Sequence, residues 1–438
     1  MADNKSSAAV AAPSLAEHLS GIIDRLTQFK NKVDLPKRET LFDALRQLET
    51  EARGVAIAGT IEENARRLAS LPSARRLLDA IGVREMPGFG QYQAGDPRWA
   101  ESLLKYYETV LLIESGNRPV NFPTHKQRNI DGVKELHALK PTNPITIAIA
   151  GDWGSGDIDK RSSPAAAIAK HIEKRQPDYT IHLGDVYYAG LEEEERDKFL
   201  NQWPAGAVGT YTLNSNHEMY SGGTGYFNVV LAAPKFASQQ QLSYFALNND
   251  NWLIIGLDTA FFAYRQSLLY EQGSLSDPRE RDGTIQIEWM DEVLKQNAGK
   301  RVILLTHHDG FDVDPLTGAV TFKPLYQVVI QHLKEVRDFF WYWGHVHTGI
   351  AYKQIILNRN STFSARCVGH GAIPYTPFPE DFNRLGNRDV RVLWAEKRPA
   401  NSAEPPRAFN GFLLLTLSGA DLREEFYDEL GHQCWSNV

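Results

Sequence analysis

The chain has 438 residues, a net charge of −7, 42% apolar residues and 23% charged ones. That length suits two domains and a core that needs no disulfide staples, and two cysteines (Cys367 and Cys434) make neither a disulfide framework nor a CxxC zinc site. The acidic balance argues against long nucleic acid as a partner but leaves room for a small anionic substrate, because bound cations dominate the field inside a site.

In chain order, residues 1–13 read as a disordered head whose apolar residues are mostly Ala, with no hydrophobic signal segment. The longest apolar runs, FFWYW at 339–343 and FLLL at 412–415, are too short to span a bilayer. A cytoplasmic protein without a membrane partner is expected. Residues 14–116 read as an all-α region. Leu15, Leu19, Ile22, Ile23, Leu26 and Phe29 form an amphipathic stripe. Asp96-Pro97 starts a later helix through Trp99, Leu103, Leu104, Tyr107 and Leu111. These stripes carry no ligand or nucleophile spacing and read as packing. The helices are candidates for homo-oligomer or partner contact. Residues 117–143, polar and proline-bearing, read as a linker, which leaves 144–438 as the catalytic domain.

From Ile145 the texture changes. ITIAIAGD, YTIHLGD (179–185), GTYTLNSNHE (209–218), RVILLTHH (301–308) and FFWYWGHVH (339–347) are short apolar runs, each ending in polar residues. Each is a buried-strand candidate. Helical stretches at 164–175 and 285–296 lie between some of them, and strand-helix alternation implies an α/β layered domain with its ligands at the strand ends. Residues 243–262 read as two strands around an Asn/Asp turn, which suggests two packed sheets. The run EEEER at 192–196 reads as a solvated helix face, His182 as a core histidine and Cys367 as a buried apolar residue.

The strand ends deliver Asp152, then Asp185 with Tyr188, Asn216 with His217, His307, and His345 with His347. These are oxygen and imidazole donors without thiolate, a set that suits iron, manganese or zinc. Any one of them is ordinary turn chemistry. All of them, in this order and each after its own apolar run, point to a metal centre.

This ordered set resembles the calcineurin-like metallophosphoesterase superfamily over roughly residues 145–375, and within it the purple acid phosphatase-like branch. GDWG at 151–154, GDVYY at 184–188, SNHE at 215–218 (similar to GNHE), LLTH at 304–307 and GHVH at 344–347 carry the resemblance. It implies an α/β fold, a four-layer αββα sandwich of two packed mixed sheets after the helical N-terminal region. It implies one metal held by Asp152, Asp185, Tyr188 and His347, and a second held by Asp185, Asn216, His307 and His345, with Asp185 bridging. A phenolate favours Fe3+ in the first position, with Fe2+, Zn2+ or Mn2+ in the second; a Mn2+/Mn2+ pair is the alternative. The implied activity is hydrolysis of a phosphate ester by a metal-activated hydroxide, with His217 as general acid beside Asp185.

Around this set, Glu218 reads equally as a residue orienting a ligand or His217 and as an ordinary salt bridge. His308 reads as backing the ligands or facing substrate, and His370 as a substrate contact. Two departures from the family pattern stand out. Ser215 replaces the glycine before Asn216, which would strain a backbone needing positive φ. Asp309 stands where proline is common. Two other functions fit the same residues: a phosphodiesterase acting on cyclic nucleotides or other diesters, and a non-catalytic metal-binding scaffold.

Overall fold

The computed structural model describes residues 116–131, 137–140, 143–154, 163–401 and 406–438, with scattered positions between 47 and 113. The expected disordered head and most of the expected helical region lie outside the described residues. The described residues from position 102 onward belong to one compact unit.

The strands in chain order are β1 (His137–Ala138), β2 (Ile145–Ala150), β3 (Tyr179–His182), β4 (Gly209–Thr212), β5 (Phe245–Asn248) and β6 (Trp252–Leu257). They continue as β7 (Arg301–Thr306), β8 (Phe311–Val313), β9 (Val320–Phe322), β10 (Asp338–Trp343), β11 (Gly349–Tyr352) and β12 (Ile355–Ile356). The last are β13 (Thr362–Val368), β14 (Val392–Ala395), β15 (Gly411–Ser418), β16 (Asp421–Asp428) and β17 (Gln433–Ser436). One sheet has the order β1-β5-β6-β7-β10-β13-β11-β14 with β12 on β13; the other is β17-β16-β15-β2-β3-β4. β8 and β9 form a separate hairpin.

Both sheets are mixed, and one core lies between them. Ile147, Ile149, Ile181 and Leu413 from the smaller sheet pack with Ile254, Ile303, Leu305 and Tyr342 from the larger. The five apolar runs become β2, β3, β4, β7 and β10, and the 243–262 stretch becomes the antiparallel pair β5 and β6. Inside each sheet the site-bearing strands run parallel: β2 beside β3 beside β4, and β7 beside β10. Parallel pairing brings their carboxyl ends to one edge, so each polar strand end reaches the same place.

Helix α1 (Pro164–Arg175) has proline in its first turn and buries Ala165, Ile168, Ala169 and Ile172 at helical spacing. Helix α2 is the short Asn216–Tyr220, and α3 (Ile285–Gln296) buries Ile285, Trp289, Met290 and Val293. No helix among the described residues is long and apolar enough to cross a membrane.

The segment 117–143, read from sequence as a linker, is instead part of this unit. Phe122 is buried, stacks on Tyr244 and packs against Phe261 and Phe262. β1 adds to the edge of the larger sheet through β5. One aromatic and a two-residue strand dock the segment, and its polar composition hid both. The helix expected after Asp96-Pro97 also joins the unit. Its described positions 102, 106 and 109 share a face: Ser102 Oγ donates to the Tyr188 carbonyl (3.0 Å), Thr109 Oγ1 to the Tyr220 carbonyl (2.8 Å), and Tyr106 sets its ring edge-on to Tyr220 and Tyr270.

The acidic run at 192–196 is not a solvated face throughout. Glu194 accepts the backbone N–H groups of Tyr188 (2.6 Å) and Ala189 (2.9 Å) and pairs with Lys198. Glu195 is fully buried with neither carboxylate oxygen hydrogen-bonded, and burial, with Glu218 beside it, pushes its carboxyl up. The run sits against the GDVYY turn, where a carboxylate supplies acceptors for the turn's free N–H groups.

Candidate metal centre

The strand ends turn sharply. Asp152, Asp185, His345 and His347 all have left-handed backbone, at φ 61°, 82°, 65° and 46°. Non-glycine residues seldom adopt this conformation, and a cluster of them marks a site where structure is held against local preference. The glycines before them allow close approach. A Cβ on Gly344 would lie 2.7 Å from Asp152 Oδ2.

Asp152, Asp185 and His347 converge with ligand atoms within 4.8 Å of one another. His347 Nε2 lies 3.4 Å from Asp152 Oδ1 and 3.6 Å from Asp185 Oδ2. Both carboxylates are fully buried, and Asp152 Oδ1 and Asp185 Oδ2 have no hydrogen-bond partner. Burial and the neighbouring Asp185 push the Asp152 carboxyl well up. Two buried acids aimed together with spare lone pairs are costly unless a cation joins them.

The tyrosine that enters this half through its hydroxyl is Tyr187. Its oxygen is 2.8 Å from His347 Nε2 and its ring stacks on His217 at 3.9 Å. Tyr188, favoured by motif position, enters through its main chain: its carbonyl accepts from His217 Nδ1 (2.6 Å) and Ser102 Oγ. Its ring lies 5.6 Å from Lys198 Nζ. The motif reading names Tyr188 as the ligand; in the structure the hydroxyl beside His347 is that of Tyr187.

The second half joins Asn216, His307 and His345. His307 Nδ1 donates to the Leu183 carbonyl (2.9 Å), and burial holds this imidazole down, to about 3, so it is neutral. Its single ring proton is therefore spent on Leu183, and Nε2 carries a lone pair. That nitrogen lies 2.8 Å from Asn216 Oδ1, whose amide nitrogen is turned away to Tyr220 Oη (3.0 Å). Two acceptors thus face each other with no proton between them, an arrangement that a metal ion resolves. His345 sits beside them, its ring centroid 5.1 Å from that of His307.

His217 is buried beside both halves. Donation from Nδ1 to the Tyr188 carbonyl leaves Nε2 as its working nitrogen, 3.9 Å from Asp185 Oδ1. Glu218 makes no salt bridge among the described residues. Its carboxylate accepts the Asp185 backbone N–H at 3.0 Å and contacts the Ser215 hydroxyl. Burial, with Asp185 next to it, raises Glu218 to about 8. It holds the Asp185 turn from behind. Ser215 has ordinary extended backbone (φ −136°), so the strain its glycine substitution suggested is absent. It caps α2 by accepting the His217 N–H (3.1 Å) and lies 2.7 Å from Asp185 Oδ1.

His308 backs the centre. Its Nε2 donates to the Tyr270 carbonyl (2.7 Å) and its Nδ1 accepts from Thr259 Oγ1 (2.8 Å), so both nitrogens are used although its ring adjoins His307 and His345. Asp309 pairs with Lys323 at 2.7 Å. His370 corrects an expectation. Its ring fills the space over Gly349 and Gly411 and packs near Phe426, with Nδ1 unpartnered. Burial alone lowers it to about 3, and no charged group of the centre acts on it. It is a core residue, as His182 is between Phe199 and Trp203. Sequence reasoning missed Glu271, whose Oε2 is 3.3 Å from His345 Nε2. No motif flags it.

Residues 145–349 match the family described as calcineurin-like phosphoesterase. Among solved structures, purple acid phosphatase PPD1 from yellow lupin (Lupinus luteus) seeds is 16% identical, covering 67% of this chain and 53% of that one, with a TM-score of 0.45. This chain thus spans about half the length of that phosphatase. A conserved uncharacterized protein of Streptococcus pneumoniae, a predicted phosphoesterase, is 10% identical over 68% of this chain and 97% of its own, with a TM-score of 0.27. Vps29 of Chaetomium thermophilum is 10% identical over 67% and 94%, with a TM-score of 0.24. No curated protein matches the sequence.

Proposed function

We propose that the chain, whose residues 145–349 match the calcineurin-like phosphoesterase family, hydrolyses small phosphate esters at a dinuclear metal centre. The observation that carries this reading is the pair of unmatched donor sets: Asp152 Oδ1 and Asp185 Oδ2 without partners, and Asn216 Oδ1 facing His307 Nε2 at 2.8 Å. Asp152, Asp185, His347 and a tyrosine of GDVYY would hold one ion; Asp185, Asn216, His307 and His345 would hold the other. Bound ions would supply an activated water and neutralise charge on the phosphoryl oxygens.

The chain's own residues do the rest. Protonated at both ring nitrogens, His217 would present Nε2–H to the leaving-group oxygen, because Nδ1–H is committed to the Tyr188 carbonyl, and would give the Nε2 proton to the departing alkoxide. Tyr187, stacked on its ring, fixes the plane of that transfer. Glu218 and Ser215 hold Asp185 in place through its N–H and Oδ1.

The test is metal analysis and a visible spectrum of the purified protein, with turnover of aryl phosphate mono- and diesters. Two ions per chain and turnover that chelation abolishes are expected. Diester turnover far above monoester turnover would make it a phosphodiesterase. Full metal occupancy with no turnover on a broad phosphate panel would make it a metal-binding scaffold.

A further inference from the structure

We propose that Glu271 is a positioning residue for His345, and that the loop at 268–274 exists to present it; this rests on the dinuclear reading above. Glu271 Oε2 lies 3.3 Å from His345 Nε2, and its other oxygen is buried without a hydrogen-bond partner. With Nε2–H donated toward the carboxylate, Nδ1 would be the nitrogen with a free lone pair. A carboxylate on the far nitrogen of a ligand imidazole fixes its tautomer and orientation and raises its basicity.

The loop is built, not draped. Its Tyr270 carbonyl accepts from His308 Nε2 at 2.7 Å, and the Ser274 N–H donates to the Thr259 carbonyl at 2.8 Å. Thr259 Oγ1 donates to His308 Nδ1 (2.8 Å) and accepts the His308 backbone N–H (3.2 Å), so His308 and Thr259 clamp both ends of the loop to the end of β7. Leu269 and Tyr270 are consecutive left-handed residues, at φ 56° and 55°. A backbone so unfavourable persists only where its surroundings over-determine it. A Cβ on Gly273 would meet His308 Cβ at 2.7 Å, which shows how closely the loop is seated. Tyr106 lies edge-on to Tyr270 at 5.8 Å from outside.

His345 has need of such a partner. His307 is oriented by a main-chain carbonyl of the neighbouring strand end, and Asn216 by Tyr220. Among the described residues, Glu271 is the one group that contacts the His345 ring nitrogen as an acceptor. His308 thereby acquires a role: it holds the loop that holds Glu271, and its ring also groups with those of His307 and His345 within ligand distance.

The experiment is titration of the metal-free protein with Mn2+, read by calorimetry, for wild type, Glu271→Ala, Glu271→Gln, His345→Ala and the Glu271→Ala/His345→Ala double variant. Wild type should bind two Mn2+. Glu271→Ala should bind the first normally and the second about 10- to 100-fold more weakly. Glu271→Gln, which keeps the shape and an acceptor oxygen, should lose less and serves as the folded reference. The double variant should bind no worse than His345→Ala alone, because the two residues act as one unit. Equal titration of wild type and Glu271→Ala overturns the inference. So does further loss in the double variant, which would make Glu271 a ligand in its own right. A wild type that binds fewer than two Mn2+ overturns the dinuclear reading, and this inference with it.

Discussion

The two halves of the centre are held by different means. In the first, Asp152, Asp185 and His347 have left-handed backbone, and the Asp152 and Asp185 N–H groups bond to the Gly184 carbonyl and the Glu218 carboxylate. The residues of this half are braced within short motifs of the smaller sheet and the GHVH turn. In the second, Asn216 and His307 are braced by neighbours, but His345 leans on Glu271, a side chain from a loop between β6 and α3. The first half is held by residues of the motifs themselves, met in space. The second also depends on Glu271, a residue outside any motif.

Several variants break or sharpen that contrast. Asp185→Asn removes the ligand common to both halves, and both ions should be lost together, with turnover at background by the same metal analysis; loss of one ion alone would place Asp185 in one half. His217→Ala belongs to neither half, so turnover should fall about 10²- to 10⁴-fold while both ions stay bound. Metal loss in that variant would make His217 a ligand. Tyr187→Phe and Tyr188→Phe separate geometry from motif position: in an iron-loaded protein, the phenolate-to-ferric band should vanish with Tyr187→Phe and persist with Tyr188→Phe. The reverse result returns the ligand to Tyr188.

Behind both halves, Arg366 and Glu424 form a buried pair (2.7 Å) that links β13 of one sheet to β16 of the other, with Tyr342 Oη donating to the same carboxylate. Glu424→Ala leaves Arg366 buried and unpaired and should cost about 3–5 kcal/mol in a denaturant titration. A loss under about 1 kcal/mol would mean that water reaches the pair.

The smallest effect concerns pH. Burial depresses His370 from 6.5 to about 3. Between those values the unfolded chain binds a proton that the folded chain refuses, so stability is full above about pH 6.5 and falls as pH falls, by at most about 1.4 kcal/mol per pH unit. His370→Gln should make the acid limb of the stability profile shallower by that amount and leave turnover near neutrality unchanged. An unchanged slope would mean that His370 is protonated in the folded state.

Much of this was legible early because local patterns carry it. Apolar runs ending in acids, amides and imidazoles located β2, β3, β4, β7 and β10 and the residues that follow them, and helical spacing placed α1 and α3 at the bounds observed. The readings that failed involve contacts that local pattern does not encode. The polar 117–143 segment docks through Phe122 and β1. The acidic run at 192–196 turns Glu194 inward to the Tyr188 N–H. His370 follows a site-forming glycine but points its ring into the core.

The sequence by itself determined the donors: which oxygens and imidazoles stand at strand ends, and in what order, because strand periodicity and apolar runs are short-range properties. Only the tertiary structure decided how each donor is aimed. A turn of φ 82° at Asp185, the Tyr187 hydroxyl set against His347, and a carboxylate 3.3 Å from His345 but far from it in sequence all depend on parts of the chain meeting in space.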